Sequence, residues 1–162
     1  MRLPADRLLG GVEGRGFYQL VERLPEERLI MAMWAVATME CAVEDAIAYA
    51  KQRQTFGKTL IEHQHVRFEL ARCRTLATLA RTYLTRALDL FVEGRFDARG
   101  GAMVKYWTTE RCCEVTDACL QLFGGYGYMR EYPIAGRWAD ARLGRIAGGT
   151  TEVMKDLIGR SL

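Results

Sequence analysis

The chain has 162 residues, of which 49% are hydrophobic, three are proline and 27% are charged, with a formal net charge of +3. That length holds one domain with a real core, and that composition excludes a disordered chain. The small net charge, without a Lys/Arg tract interleaved with aromatics, argues against nucleic acid as a partner. No apolar run approaches the roughly 20 residues of a membrane span.

Residues 1–15 read as loop, with Pro4 and glycines at 10, 11 and 14. The opening Met1-Arg2-Leu3-Pro4-Ala5-Asp6 has no apolar signal core, so the expected compartment is the cytoplasm. Gly16 to Arg23 fits a short helix. Pro25 fits the first turn of a new one, where its missing N–H costs nothing, and that helix is expected from about Leu24 to Gln52. After a loop at Thr55-Phe56-Gly57, a second long helix is expected from about Glu62 to Glu93, stopped by Gly94. Its apolar seam is Val66, Leu70, Cys73, Ala77, Ala80, Leu84, Ala87 and Phe91, spaced by fours and threes as in antiparallel bundles. A third helix is expected from about Asp97 to Phe123, a shorter one from Pro133 to Leu143, and a last one from Thr151 to Ser161. No strand pattern or internal repeat emerges. The first long helix is apolar nearly all round between Leu29 and Ala37 and is expected to be central. The predicted fold is all-α, an antiparallel bundle of three long helices with shorter ones completing it. Cys41, Cys73, Cys112, Cys113 and Cys119 contain no C-x-x-C pair and are expected as reduced, buried thiols.

Several strings carry chemistry. Glu26 aligns with Glu44 near Glu40 and Lys51, a solvated edge. Glu27 projects with Met31, Trp34, Thr38 and Cys41, and a carboxylate on an apolar face has the restricted partners a general base needs. On the residues alone an acid favoured by the helix dipole is the weightier reading, and Asp45 lies on the same line. Glu62 and His65 have di-iron spacing, but the chain has only two histidines and no second copy, so no metal site is expected. Gln121-Leu122-Phe123-Gly124-Gly125-Tyr126-Gly127 lets a flat or phosphorylated ligand approach the backbone, or simply ends a helix. Gly148-Gly149-Thr150-Thr151-Glu152 offers free N–H groups at a helix start, or an ordinary cap by Thr150. Arg53-Gln54-Thr55-Phe56-Gly57-Lys58 places a cation and an aromatic on a loop.

Taken in order, these strings are more specific than any one of them. Arg53 to Lys58 with Gln64 resembles the R-x-x-F-G-K…Q segment of the acyl-CoA dehydrogenases. Gln121 to Tyr128 resembles their Q-x-x-G-G-x-G-Y segment, and Arg137 to Arg142 with Gly149-Thr150-Thr151-Glu152 resembles their closing segment. The resemblance runs over essentially the whole chain and implies the end of the middle domain (residues 1–15) followed by the C-terminal helical domain (residues 16–162).

It also implies α,β-dehydrogenation of an acyl-CoA to a trans-2-enoyl-CoA with FAD as hydride acceptor. Partners implied are a homodimer or homotetramer and an electron-transfer flavoprotein. Arg53, Thr55, Phe56 and Gln64 are implied to reach the FAD of a neighbouring subunit. Gln121, Leu122, Phe123, Gly124 and Gly125 are implied to hold its adenosine diphosphate part, and Thr150 and Glu152 to contact flavin. Gly148 and Gly149 should line the thioester end. Many relatives carry the catalytic glutamate where this chain has Gly148. In the isovaleryl-CoA and long-chain branch the base comes instead from an L-x-x-E-R-L segment, here Leu24-Pro25-Glu26-Glu27-Arg28-Leu29. Glu27 then becomes the expected base with Arg28 beside it, which reverses the weighting from the residues alone. The alternatives are a non-catalytic helical oligomerisation module and an acyl-CoA oxidase.

Overall fold

The computed structural model describes residues 4–162. Three long helices, α1 (Gly16–Gln52), α2 (Gln64–Val92) and α3 (Ala98–Phe123), form the bundle. Two shorter ones, α4 (Pro133–Gly144) and α5 (Thr151–Gly159), pack on α3. In α1 the buried row is Leu29, Ala32, Val36, Met39, Val43, Ala46 and Ala50, stepping by threes and fours against α2 and α3. The predicted α2 seam is buried from Val66 through Ala87. Its last member departs from expectation: Phe91 is exposed and meets Phe96 edge-on at the bundle's end. Alanines on both helices let the backbones approach closely. The buried α3 row includes Thr108, Thr109 and Thr116, whose hydroxyls donate to carbonyls four residues back and so bury no unpaired polar group.

The expected break at Pro25 is absent, and α1 runs through it. A proline there leaves one carbonyl in the preceding turn without its helical donor, and that turn is exposed to water. Pro25 also fits a gap on α3: a Cβ on Gly101 would lie 3.2 Å from the Pro25 Cα.

A two-stranded hairpin that the sequence reading missed follows α1. β1 (Gln54–Thr55) pairs antiparallel with β2 (Lys58–Thr59) around Phe56 and Gly57, both with positive φ (51° and 80°). A 3₁₀ turn, Leu60–Glu62, precedes the second helix, which begins at Gln64, two residues after the expected start, with Thr59 and Glu62 forming a capping box. Cys73, Cys112 and Cys119 are buried as expected and Cys113 is half-buried, but Cys41 is exposed. Among the described residues no helix is long and apolar enough to cross a membrane.

Candidate active site

The predicted residues gather in two groups, one at the far end of α1 around Tyr49 and Arg53, the other beside its earlier turns at Arg28. Tyr49, near the end of α1, stacks on Phe123, at the end of α3, with ring centroids 4.2 Å apart. Its hydroxyl donates to the Phe123 carbonyl at 3.4 Å, and burial raises its pKa. Tyr132 meets both rings edge-on and stacks with Tyr126 at 5.3 Å. This aromatic column fixes the 3₁₀ turn Gly124–Tyr128. Gly127 is required inside it, because a Cβ there would lie 2.6 Å from the Leu120 carbonyl oxygen.

The column leaves a cleft of about 590 Å³ lined by Arg53, Thr55, Gln121, Leu122, Phe123, Gly124 and Gly125, with Tyr49, Leu60, Tyr126 and Met129. The guanidinium of Arg53 stands over the Tyr126 ring at 5.4 Å. His63 Nε2 lies 3.3 Å from both Thr55 oxygens, which ties the hairpin to the start of α2. Phe56 projects from the hairpin tip, 97% exposed, and Gln64 is exposed at the start of α2; neither lines the cleft. Glu62 is occupied by Thr59, whose N–H and hydroxyl both donate to it and hold its carboxyl below the usual range.

The second group surrounds the turn between α4 and α5. Gly148 and Gly149 both have positive φ, 66° and 101°, and Thr150 caps α5 by accepting from the Val153 N–H. Hydrogen bonds from its own N–H and from Thr150 hold the exposed Glu152 carboxyl below its ordinary value. On α1, Arg28 is buried and its Nε lies 3.4 Å from the Gly148 carbonyl oxygen. A Cβ on Gly148 would lie 3.7 Å from the Met31 Cγ. Met31 is one helical turn beyond Glu27, so Glu27 and the glycine turn share one side of α1.

Glu27 itself is exposed in this chain rather than held on a closed apolar face, and it forms no ion pair among the described residues. Asp45, the other acid on that line, is bonded to Arg137. The face around Glu27 is open: Ile30 and Met33 are 63% and 44% exposed.

Three side chains missed in the sequence also hold this turn. Lys105, on α3, donates from Nζ to the Gly149 carbonyl at 2.5 Å. Glu110 accepts from Arg145 Nε at 2.9 Å and from Thr151 Oγ1 at 2.7 Å. One signal was available: Lys105 is the sole charged residue between Arg99 and Glu110. A larger groove of about 700 Å³ lies between α3 and α4. Most of its charged groups are already paired, including Arg145 with Glu110, Arg111 with Glu114, and Asp117 with the Trp138 indole. None of the predicted site residues lines it.

Residues 14–162 match the family model described as acyl-CoA dehydrogenase, C-terminal domain. The chain is 44% identical over its full length to the mitochondrial long-chain specific acyl-CoA dehydrogenase of Mus musculus, of which it covers 37%. Among solved structures it resembles an acyl-CoA dehydrogenase from Geobacillus kaustophilus (TM-score 0.89, 41% identity, 93% of this chain and 40% of that one). It is also similar to butyryl-CoA dehydrogenase from Megasphaera elsdenii (TM-score 0.88, 35% identity, 93% of this chain and 39% of that one). The chain thus spans little more than a third of the length of these relatives.

Proposed function

The chain belongs to the acyl-CoA dehydrogenase family, whose C-terminal domain model it matches, and from that premise we propose that it serves the α,β-dehydrogenation of an acyl-CoA thioester to the trans-2-enoyl-CoA. The observation that carries this reading is the meeting of α1 with the glycine turn. Arg28 bonds to the Gly148 carbonyl, a Cβ at 148 would stand 3.7 Å from the Met31 side chain, no carboxylate is present at 148, and Glu27 stands one turn from Met31.

Removing the α-proton of a thioester needs a positioned base and hydrogen bonds to the carbonyl that acidify the α-carbon. Glu27 is the carboxylate that takes this proton. Arg28, Gly148 and Gly149 shape the thioester end of the acyl-CoA site. Arg28 does so through the loop, because its guanidinium donates to the Gly148 carbonyl. Open space beside Gly148 is what a base on α1 requires, since a side chain at 148 would begin against Met31.

The cleft at the other end fits the adenosine diphosphate part of FAD. Gly124 and Gly125 have no atom within 4 Å of where a Cβ would stand, so a pyrophosphate can reach their backbone. Arg53 supplies a cation for it, and Gln121 is exposed to hydrogen-bond a polar edge. Leu122 and Phe123 form the floor, and Thr55 holds the hairpin beside it. FAD, when bound, accepts the hydride that leaves the β-carbon. Thr150 and Glu152 face the flavin from the start of α5. Phe56 and Gln64, exposed beyond the cleft, reach toward a neighbouring subunit in a homodimer or homotetramer, and an electron-transfer flavoprotein takes the electrons onward. In this reading residues 1–15 are the end of a preceding domain, and residues beyond this chain cover the open face around Glu27.

The test is direct. The protein that contains this chain is supplied with saturated acyl-CoAs of graded length and an artificial electron acceptor, and products are read by mass. A product lighter by two hydrogens supports the reading. Absence of enoyl product with every acyl-CoA, in protein that holds FAD, refutes it.

A further inference from the structure

The glycine turn is held from outside by a buried cation that has no carboxylate in direct contact among the described residues. Lys105 is fully buried, and among the described residues it forms no ion pair. Its one hydrogen bond is to the Gly149 carbonyl oxygen, at 2.5 Å. Burial lowers its pKa, the nearby Arg28 cation lowers it further, and the more distant carboxylates of Glu110 and Glu152 offset only part of this. Removing an ammonium from water without a carboxylate partner is costly, and an apolar side chain of similar length would fill the space more cheaply. As a packing device, Lys105 is therefore a poor choice.

It is a good choice for fixing a backbone. Two successive glycines with positive φ form a turn that local sterics constrain weakly. Here the turn is fastened at four points from two helices. Arg28 on α1 reaches the Gly148 carbonyl. Lys105 on α3 reaches the Gly149 carbonyl. Glu110, also on α3, holds Arg145 before the glycines and Thr151 after them. The fastened backbone faces Met31, whose Cγ lies 3.7 Å from where a Cβ on Gly148 would stand, one turn from Glu27.

We propose that Lys105 is a positioning residue, which pins the Gly149 carbonyl and so sets where the turn stands relative to Glu27. This rests on the reading of Glu27 as the base. Lys105 touches no reacting atom; it acts through the loop backbone, on the distance and angle at which the carboxylate meets the α-carbon. A misplacement of about 1 Å in such an arrangement costs on the order of 100-fold in rate.

The experiment compares Lys105→Met and Glu27→Gln in the full-length, FAD-loaded protein, measuring kcat, KM for acyl-CoA and the thermal midpoint. For Lys105→Met a kcat lower by about 10-fold or more is expected, with KM within about threefold. Its thermal midpoint should be unchanged or higher, because a buried charge has been replaced by an apolar side chain. A Lys105→Met protein that fails to fold, or melts markedly lower while keeping kcat, would show a merely structural lysine and overturn the proposal. Unchanged kcat at unchanged stability would overturn it too. The paired variant separates the two readings. If Glu27→Gln is inactive and Lys105→Met is not, only the positioning role fails; if Glu27→Gln keeps full activity, the base assignment fails with it.

Discussion

Gly149 has φ 101°, outside the left-handed region that asparagine or aspartate can share with glycine. A methyl group there would also stand 2.6 Å from the Met154 Cε, at the flexible end of a side chain that can move aside. Backbone strain is therefore the larger of the two effects. Gly149→Ala should destabilise the chain by about 1–3 kcal/mol, which at about 2–4 °C per kcal/mol for a protein of this size is a visible drop in thermal midpoint. An unchanged melting curve would mean that the turn is softer than its φ implies. At this scale the sequence was partly readable. The glycine pair, Thr150 and Glu27 were singled out because they sit in strings with a chemical meaning. Lys105 was not, because its partner is a backbone carbonyl 44 residues away, and backbone acceptors leave no trace in residue type. The openness of the face around Glu27 was equally hidden, since periodicity marks a face as apolar without saying what covers it.

The helices themselves were legible where burial imposes spacing. Val66, Leu70, Cys73, Ala77, Ala80, Leu84 and Ala87 are all buried, as the alternation of fours and threes required. Local rules failed in two places. Pro25 has the placing of a helix start, but one missing donor in an exposed turn is too small a loss to break a helix held further on by its buried row. The hairpin between α1 and α2 escaped notice because two-residue strands are too short to show a period, although Phe56-Gly57 sits at its turn. Between elements, α1 and α2 are joined by the pairs Glu40–Arg81 and Glu44–Arg74. The Arg81 hydrogen bonds hold the Glu40 carboxyl below its ordinary value of 4.5. A carboxyl with a lowered folded pKa lends stability above its unfolded pKa and loses it as pH falls through the folded value. Exposed pairs of this kind contribute no more than about 1 kcal/mol. Glu40→Gln should therefore lower the thermal midpoint by no more than about 4 °C at pH 7, and by progressively less as the pH is lowered and the carboxyl protonates. A loss that grows as the pH is lowered would reverse the sign and contradict the pairing.

Across the whole molecule, the two predicted groups of residues lie in different surroundings. The cleft at Arg53 and Gly124 has its floor and several walls within this chain. The surface around Glu27 does not: Phe17, Tyr18, Leu20, Val21, Ile30 and Met33 are all exposed along α1. The chain spans 37% of the length of its long-chain relative. On the proposed reading, chemistry at Glu27 is measured in the full-length form. Gly148 and Glu27 make one claim between them: the base stands on α1, and the glycine leaves room for it. The measurement that tests this is the turnover of Glu27→Gln in the full-length, FAD-loaded protein, with FAD content and acyl-CoA binding determined alongside. A loss of at least about 100-fold in kcat, with FAD and acyl-CoA still bound, is the predicted result. Undiminished turnover would contradict it and remove Glu27 as the base.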